Sequence, residues 1–150
     1  MKGVSDMEML AQIEGYIADQ PQPKREDLQT LHRAMLKASP NCRLWFVNGR
    51  NEEGKVVSNP SIGYGVQARR YADGETREFY QVGLSANATG ISIYIMGLDD
   101  KKYLSETYGQ ALGKAKITGY CVKFRRLGDV DLGVIEMMVA NHLGDGAVPS

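Results

Sequence analysis

Residues Asn59 to Leu98 read NPSIGYGVQARRYADGETREFYQVGLSANATGISIYIMGL. Apolar residues alternate with small or polar ones along three segments. Ile62, Tyr64 and Val66 alternate with Ser61, Gly63 and Gly65; Tyr80, Val82 and Leu84 with Gln81, Gly83 and Ser85; Ile91, Ile93 and Ile95 with Ser92, Tyr94 and Met96. A period of two turns one face of each segment toward a core and leaves the other lighter. Ala72-Asp73-Gly74 and Asn87-Ala88-Thr89-Gly90 carry the residues that tight turns need. The stretch therefore predicts three consecutive antiparallel strands, the first running through to Tyr71. Gly63, Gly65 and Gly83 fall inside strands, where glycine weakens pairing unless the strand bends or something approaches its backbone.

Outward from this centre the period changes. Met9, Leu10, Ile13, Tyr16 and Ile17 lie on one helical face and predict a helix over Asp6–Asp19 capped by Ser5 or Asp6. Pro21 and Pro23 break it. Leu28, Leu31, Met35 and Leu36 then predict a second helix from Pro23 to Ala38, so the chain opens with an αα-hairpin. Residues Cys42–Val47 predict a strand, and Asn48–Lys55 a polar turn. Beyond the centre, Lys101–Leu112 reads as a helix and Tyr120–Phe124 as a strand. A last helix, Val130–Leu143, is capped by Asp129. Strands grouped between helices indicate an α+β fold, an antiparallel sheet of about five strands with helices packed on one face. At 150 residues the chain predicts one domain, with an ordered core from about residue 6 to 143.

Composition narrows the function classes. Eighteen basic and eighteen acidic residues leave no net charge, which speaks against a nucleic-acid partner. The densest basic spot, Lys123 with Arg125 and Arg126, reads most simply as a solvated strand end. No run approaches the length of a membrane span, and the charged amino terminus lacks the apolar core of an export signal. Cys42 and Cys121 form no CxxC pair. The expected location is the cytoplasm, with both thiols free.

Four stretches together carry a resemblance: IGYG after Asn59-Pro60, YQVGLS at Tyr80–Ser85, ISIYIMG at Ile91–Gly97, and GYCVKFRRLGDVD at Gly119–Asp131. The chain resembles the YdhG-like family of small bacterial domains of unknown function, whose fold is similar to that of frataxin. Where relatives carry a basic SPRK-like turn, this chain has Ser85-Ala86-Asn87-Ala88, without the charges. The resemblance implies a frataxin-like fold and, as an alternative function, iron binding and delivery. Iron needs clustered ligands, and Asp6, Glu8, Glu14 and Asp19 are spread around the first helix.

No complete catalytic set is visible. The two histidines, His32 and His142, fall on predicted helices, and His32 reads as a surface or boundary residue. Cys121 stands beside Lys123, which would favour a thiolate, but a strand cysteine reads first as a small buried hydrophobe. The tyrosines are more pointed, because Tyr64, Tyr80, Tyr94 and Tyr120 all fall in predicted strands of one sheet. With glycine-opened backbone beside them they would line a binding surface. The sequence thus predicts a non-enzymatic module with no cofactor, no resident metal and no catalytic residue. Its expected ligand-binding residues are Gly63, Tyr64, Gly65, Tyr94, Tyr120 and Lys123. Its expected partner is a small molecule or a protein, with no nucleic acid and no membrane, and a homodimer is admitted.

Overall fold

The computed structural model describes residues 6–70, 72–98 and 100–143. In chain order the elements are α1 (Asp6–Ala18), α2 (Lys24–Ala38), β1 (Leu44–Val47), β2 (Ser61–Tyr64), β3 (Gln67–Arg70), β4 (Thr76–Phe79), β5 (Val82–Asn87), β6 (Gly90–Ile95), α3 (Tyr103–Leu112), β7 (Lys116–Thr118), β8 (Cys121–Phe124), a 3₁₀ turn (Leu127–Asp129) and α4 (Leu132–His142). The fold is α+β, as the patterning indicated. Six strands form an antiparallel sheet in the order β1-β2-β5-β6-β8-β7, and β3 and β4 pair separately.

Alternation sorts the sheet into two faces. Phe46, Ile62, Leu84, Ile93, Val122 and Ile117 are successive cross-strand partners on one face. With Tyr64, Val82, Ile95, Ile91 and Phe124 they meet the buried residues of the helices: Ile13 and Ile17 of α1, Leu28, Leu31 and Met35 of α2, Leu104, Tyr108 and Leu112 of α3, and Ile135, Met138 and Val139 of α4. Spacings of three and four put each helical set on one stripe. All four helices thus contribute to a core on this face.

The central stretch departs from the predicted meander. Its first segment is not one strand to Tyr71. The chain leaves the sheet after Tyr64 at Gly65, which has φ +80°, and runs into the separate β3–β4 hairpin. The left-handed conformation requires glycine there, and a Cβ would also displace the ends of the Gln81 and Leu143 side chains. The chain returns at Gln81, whose N–H donates to the Tyr64 carbonyl at 3.0 Å.

A proline limits β2 at its start. There the Tyr16 hydroxyl of α1 donates to the Pro60 carbonyl at 3.2 Å and accepts the Ala86 N–H at 2.8 Å, satisfying backbone groups beyond the end of the β2–β5 ladder. Elsewhere α2 is tied to the segment after β8. The buried Asp27 carboxylate accepts from Arg126 Nε at 2.9 Å and from the Leu127 N–H at 3.0 Å.

Other boundaries also moved. The last helix is capped by Asp131, which accepts the Val134 N–H at 3.3 Å, and not by Asp129, which lies in the 3₁₀ turn. Asp6 is already helical, and the alternative cap Ser5 lies outside the described residues. The sixth strand, β7, was not foreseen. It pairs with β8 through a two-residue turn, Gly119-Tyr120, with Gly119 at φ +57°, the glycine-first turn chemistry that suits hairpin twist.

Candidate functional site

None of the described helices packs on the second face of the sheet. Two rows of cross-strand partners define it. One runs Trp45–Gly63–Gly83–Tyr94–Cys121–Thr118. In the other, Ser85, Ser92, Lys123 and Lys116 are successive partners, and Val47 pairs with Ser61 at the β1 end. Glycine in the first row and serine in the second keep side chains short near the sheet centre.

That side-chain-free floor is occupied by Tyr80. A Cβ at Gly63 would meet Tyr80 Cδ2 at 2.3 Å, and one at Gly83 would meet Tyr80 Cε1 at 2.6 Å. The ring therefore lies flat over two neighbouring glycines, and its hydroxyl is 3.4 Å from Ser61 Oγ. Phe79 stacks on it with centroids 4.1 Å apart, and Trp45 meets Phe79 edge-on at 5.8 Å. The Arg43 guanidinium sits 4.1 Å over the Trp45 ring and pairs with Glu78 at 3.1 Å. These contacts seat the β3–β4 hairpin over the β1-β2-β5 half of the face.

The β6-β8-β7 half is different. Tyr94 is half-buried, Tyr120 stands at the β7–β8 turn with 53% of its surface exposed, and Thr118, Lys123 and Lys116 are exposed. Ser85 donates to the Pro60 carbonyl at 2.6 Å, and Ser92 accepts from Asn87 Nδ2 at 2.9 Å, so the buried serines of the second row are satisfied. Burial raises the Tyr80 and Tyr94 hydroxyls above the usual tyrosine range, with smaller upward contributions from Tyr120 in both cases. The three hydroxyls therefore lie within electrostatic reach of one another. Cys121 is also pushed up, by burial first, while Lys123 and the Ser92 hydroxyl act in the opposite direction. Its sulfur is a thiol at neutral pH and a poor nucleophile.

The structure divides the expected site residues. Gly63, Tyr94 and Lys123 share the helix-free face, and Tyr120 borders it at the turn. Gly65 is the hinge to the hairpin. Tyr64 belongs elsewhere. It is fully buried on the helix face, opposite Leu44 and Val82, and its hydroxyl meets His32 Nδ1 at 2.6 Å. Tyr64 and Tyr94 cannot line one surface, because they point to opposite sides of the sheet. Neither is His32 merely a boundary residue, since it supplies the buried hydroxyl with its hydrogen-bond partner. Burial holds Tyr64 well above the usual range and lowers His32.

Sequence reasoning missed Lys116 and Thr118, which lie on the unforeseen β7, and missed the role of Tyr80, which lies between β4 and β5 and so escapes the alternation of β5. A signal for β7 existed in Lys116-Ile-Thr and Cys121-Val-Lys-Phe flanking a Gly-Tyr pair.

No family model, curated protein or solved structure matches the chain. His142 Nδ1 lies 2.8 Å from the Met138 carbonyl and its ring packs edge-on against both Tyr103 and Tyr108, while His32 is on the helix side, so neither histidine stands beside Cys121. Among the described residues no three His, Cys, Asp or Glu side chains come together as metal ligands, and no described helix is long and apolar enough to cross a membrane. What the face offers is aromatic surface, hydroxyls and cations.

Proposed function

We propose that this protein is a binding module that takes a small molecule or a protein segment on the helix-free β6-β8-β7 half of its sheet. One observation carries the reading. Thr118, Lys123, Lys116 and Tyr120 are exposed and Tyr94 is half-buried on or beside a half of the sheet face against which none of the described helices packs. Flat aromatic surface with a few polar groups is how proteins hold ligands without acting on them. The reading is non-enzymatic because the thiol on the face is protonated and has no histidine beside it.

The same proposal includes membership of the YdhG-like family and a cytoplasmic location. The family reading is supported by the IGYG stretch that forms β2 and its hinge and by the GYCVKFRRLGDVD stretch that runs from the β7–β8 turn to the cap of α4, and the location by Cys42 and Cys121, which are not joined in a disulfide. Iron delivery draws less support, because Glu8 and Glu14 of α1 and Asp19 just after it are all exposed, and among the described residues they assemble no ligand set.

Thermal-shift screening of a small-molecule library against the native protein, Tyr94→Ala and Tyr120→Ala tests the proposal. Hits of the native protein should be weakened or lost in at least one variant. Two folded variants that keep every hit would place the site elsewhere.

A further inference from the structure

On the β6-β8-β7 half of the face the exposed charged side chains of the described strands are all cations. Lys116 and Lys123 are direct cross-strand partners and both are exposed. Arg125, also exposed, follows β8 two residues after Lys123. Among the described residues no carboxylate pairs with any of the three; the ion pairs Arg43–Glu78 at 3.1 Å and Arg126–Asp27 at 2.9 Å use other cations. Like charges directly opposite each other in a sheet are destabilising. This juxtaposition occurs in a chain with no net charge, so it is not a by-product of a basic composition.

Aromatic surface adjoins the cations. Tyr94 is the partner of Cys121, two residues along β8 from Lys123, an offset of about 7 Å at the usual strand rise. Its hydroxyl interacts with Ser92, the residue directly opposite Lys123. Tyr120 borders the same area from the turn. A cationic pair two strand positions from Tyr94 is spaced as a mononucleotide's phosphate and ring require, with Tyr120 beside them at the turn.

We propose that the ligand of this face is a phosphorylated planar-ring compound of the mononucleotide class, with its phosphate between Lys116 and Lys123, Arg125 beside it, and its ring against Tyr94 and Tyr120. The inference rests on the binding-face reading above and narrows it. Two lysines act on phosphate as point charges and suit a dianion better than a single carboxylate. Tyrosine stacks on any base, since every base has a π-face, so the arrangement selects the class and not one base. Because the cations are exposed, salt must weaken the phosphate contact.

Titration of AMP, adenosine and inorganic phosphate into ¹⁵N-labelled protein at low ionic strength, followed by amide chemical shifts, tests it. AMP should shift β6, β7 and β8 amides and bind at least about tenfold more tightly than adenosine or phosphate. The exposed double variant Lys116→Gln/Lys123→Gln should lose that advantage and keep the weak adenosine shifts, while Tyr94→Ala should weaken both. AMP binding no tighter than adenosine, AMP binding unchanged in the double variant, or no shift on these strands at millimolar AMP each overturns the inference. If library hits still depend on Tyr94 or Tyr120 in that event, the binding-face reading stands and only the phosphate assignment fails. If nothing depends on either tyrosine, both fail.

Discussion

Tyr64 carries a hydroxyl into an apolar core, where an unpaired hydroxyl is costly. His32, reaching in from α2, pairs with it at 2.6 Å. Tyr64→Phe should therefore destabilise the protein by about 1 kcal/mol, since the half-exposed His32 can turn to water. Tyr64→Ala should cost about 3–5 kcal/mol, as for other large-to-small core changes. Urea denaturation of both variants checks the ordering, and equal losses would show that the hydroxyl, not the ring, dominates. The pair also has a pH signature. Burial lowers His32, with Glu14 opposing and Arg33 adding to the shift. Below the unfolded value of about 6.5 the unfolded chain holds a proton that the folded chain resists, so stability falls as pH drops through that region and levels off below the folded value. Denaturation at pH 7.5 and 5.5 should show a smaller loss in His32→Gln than in the native protein, because carboxylate titration is common to both. Identical losses would remove His32 from the account.

Among the elements, the β2–β5 pair is shaped by one ring. Gly63 and Gly83 are opposite each other and Tyr80 fills the space above both. Gly83→Ala alone should destabilise by about 1–3 kcal/mol through overpacking. In a Tyr80→Ala background the same change should cost little or stabilise by up to about 1 kcal/mol, because alanine is the better strand residue once the ring is gone. Additive effects in the double-mutant cycle would mean that the ring does not press on the glycine floor. This device shows where the string was legible and where it was not. Period-two alternation and helical stripes found α1, α2, β5, β6 and the core face. Alternation also placed Tyr64 with Ile62 and Tyr94 with Ser92, on opposite faces, but grouping tyrosines by strand membership obscured it. The excursion into β3 and β4 was less visible, since Val66 to Arg70 continues the strand pattern without a break and the only mark of the turn is Gly65. β7 has three residues, too few for a period to register. Asp27 and Arg126 meet across 99 positions, and no local pattern announces such a pair.

For the molecule as a whole, the sheet is asymmetric. An antiparallel sheet can bury one face and leave the other to solvent, and here the helices close one face while a hairpin closes half of the other. The hairpin has no ladder to the six-stranded sheet. Phe79 links its end to the sheet, stacking on Tyr80 and meeting Trp45 edge-on, and the Arg43–Glu78 pair beside it is exposed on both sides and worth little. A segment held by a few side chains opens at lower free energy than a strand inside a ladder. Phe79→Ala should therefore speed hydrogen exchange at the amides of β3 and β4 while β5 and β6, which pair on both edges within the sheet, keep native protection. Trp45 fluorescence should shift to longer wavelength as its edge contact is lost. Acceleration spread evenly over hairpin and sheet would mean that the two open together and that Phe79 belongs to the global core. Acceleration confined to the hairpin would make the aromatic half of the face accessible without unfolding, so that a ligand larger than the lysine-bordered half could spread onto the glycine floor beneath Tyr80.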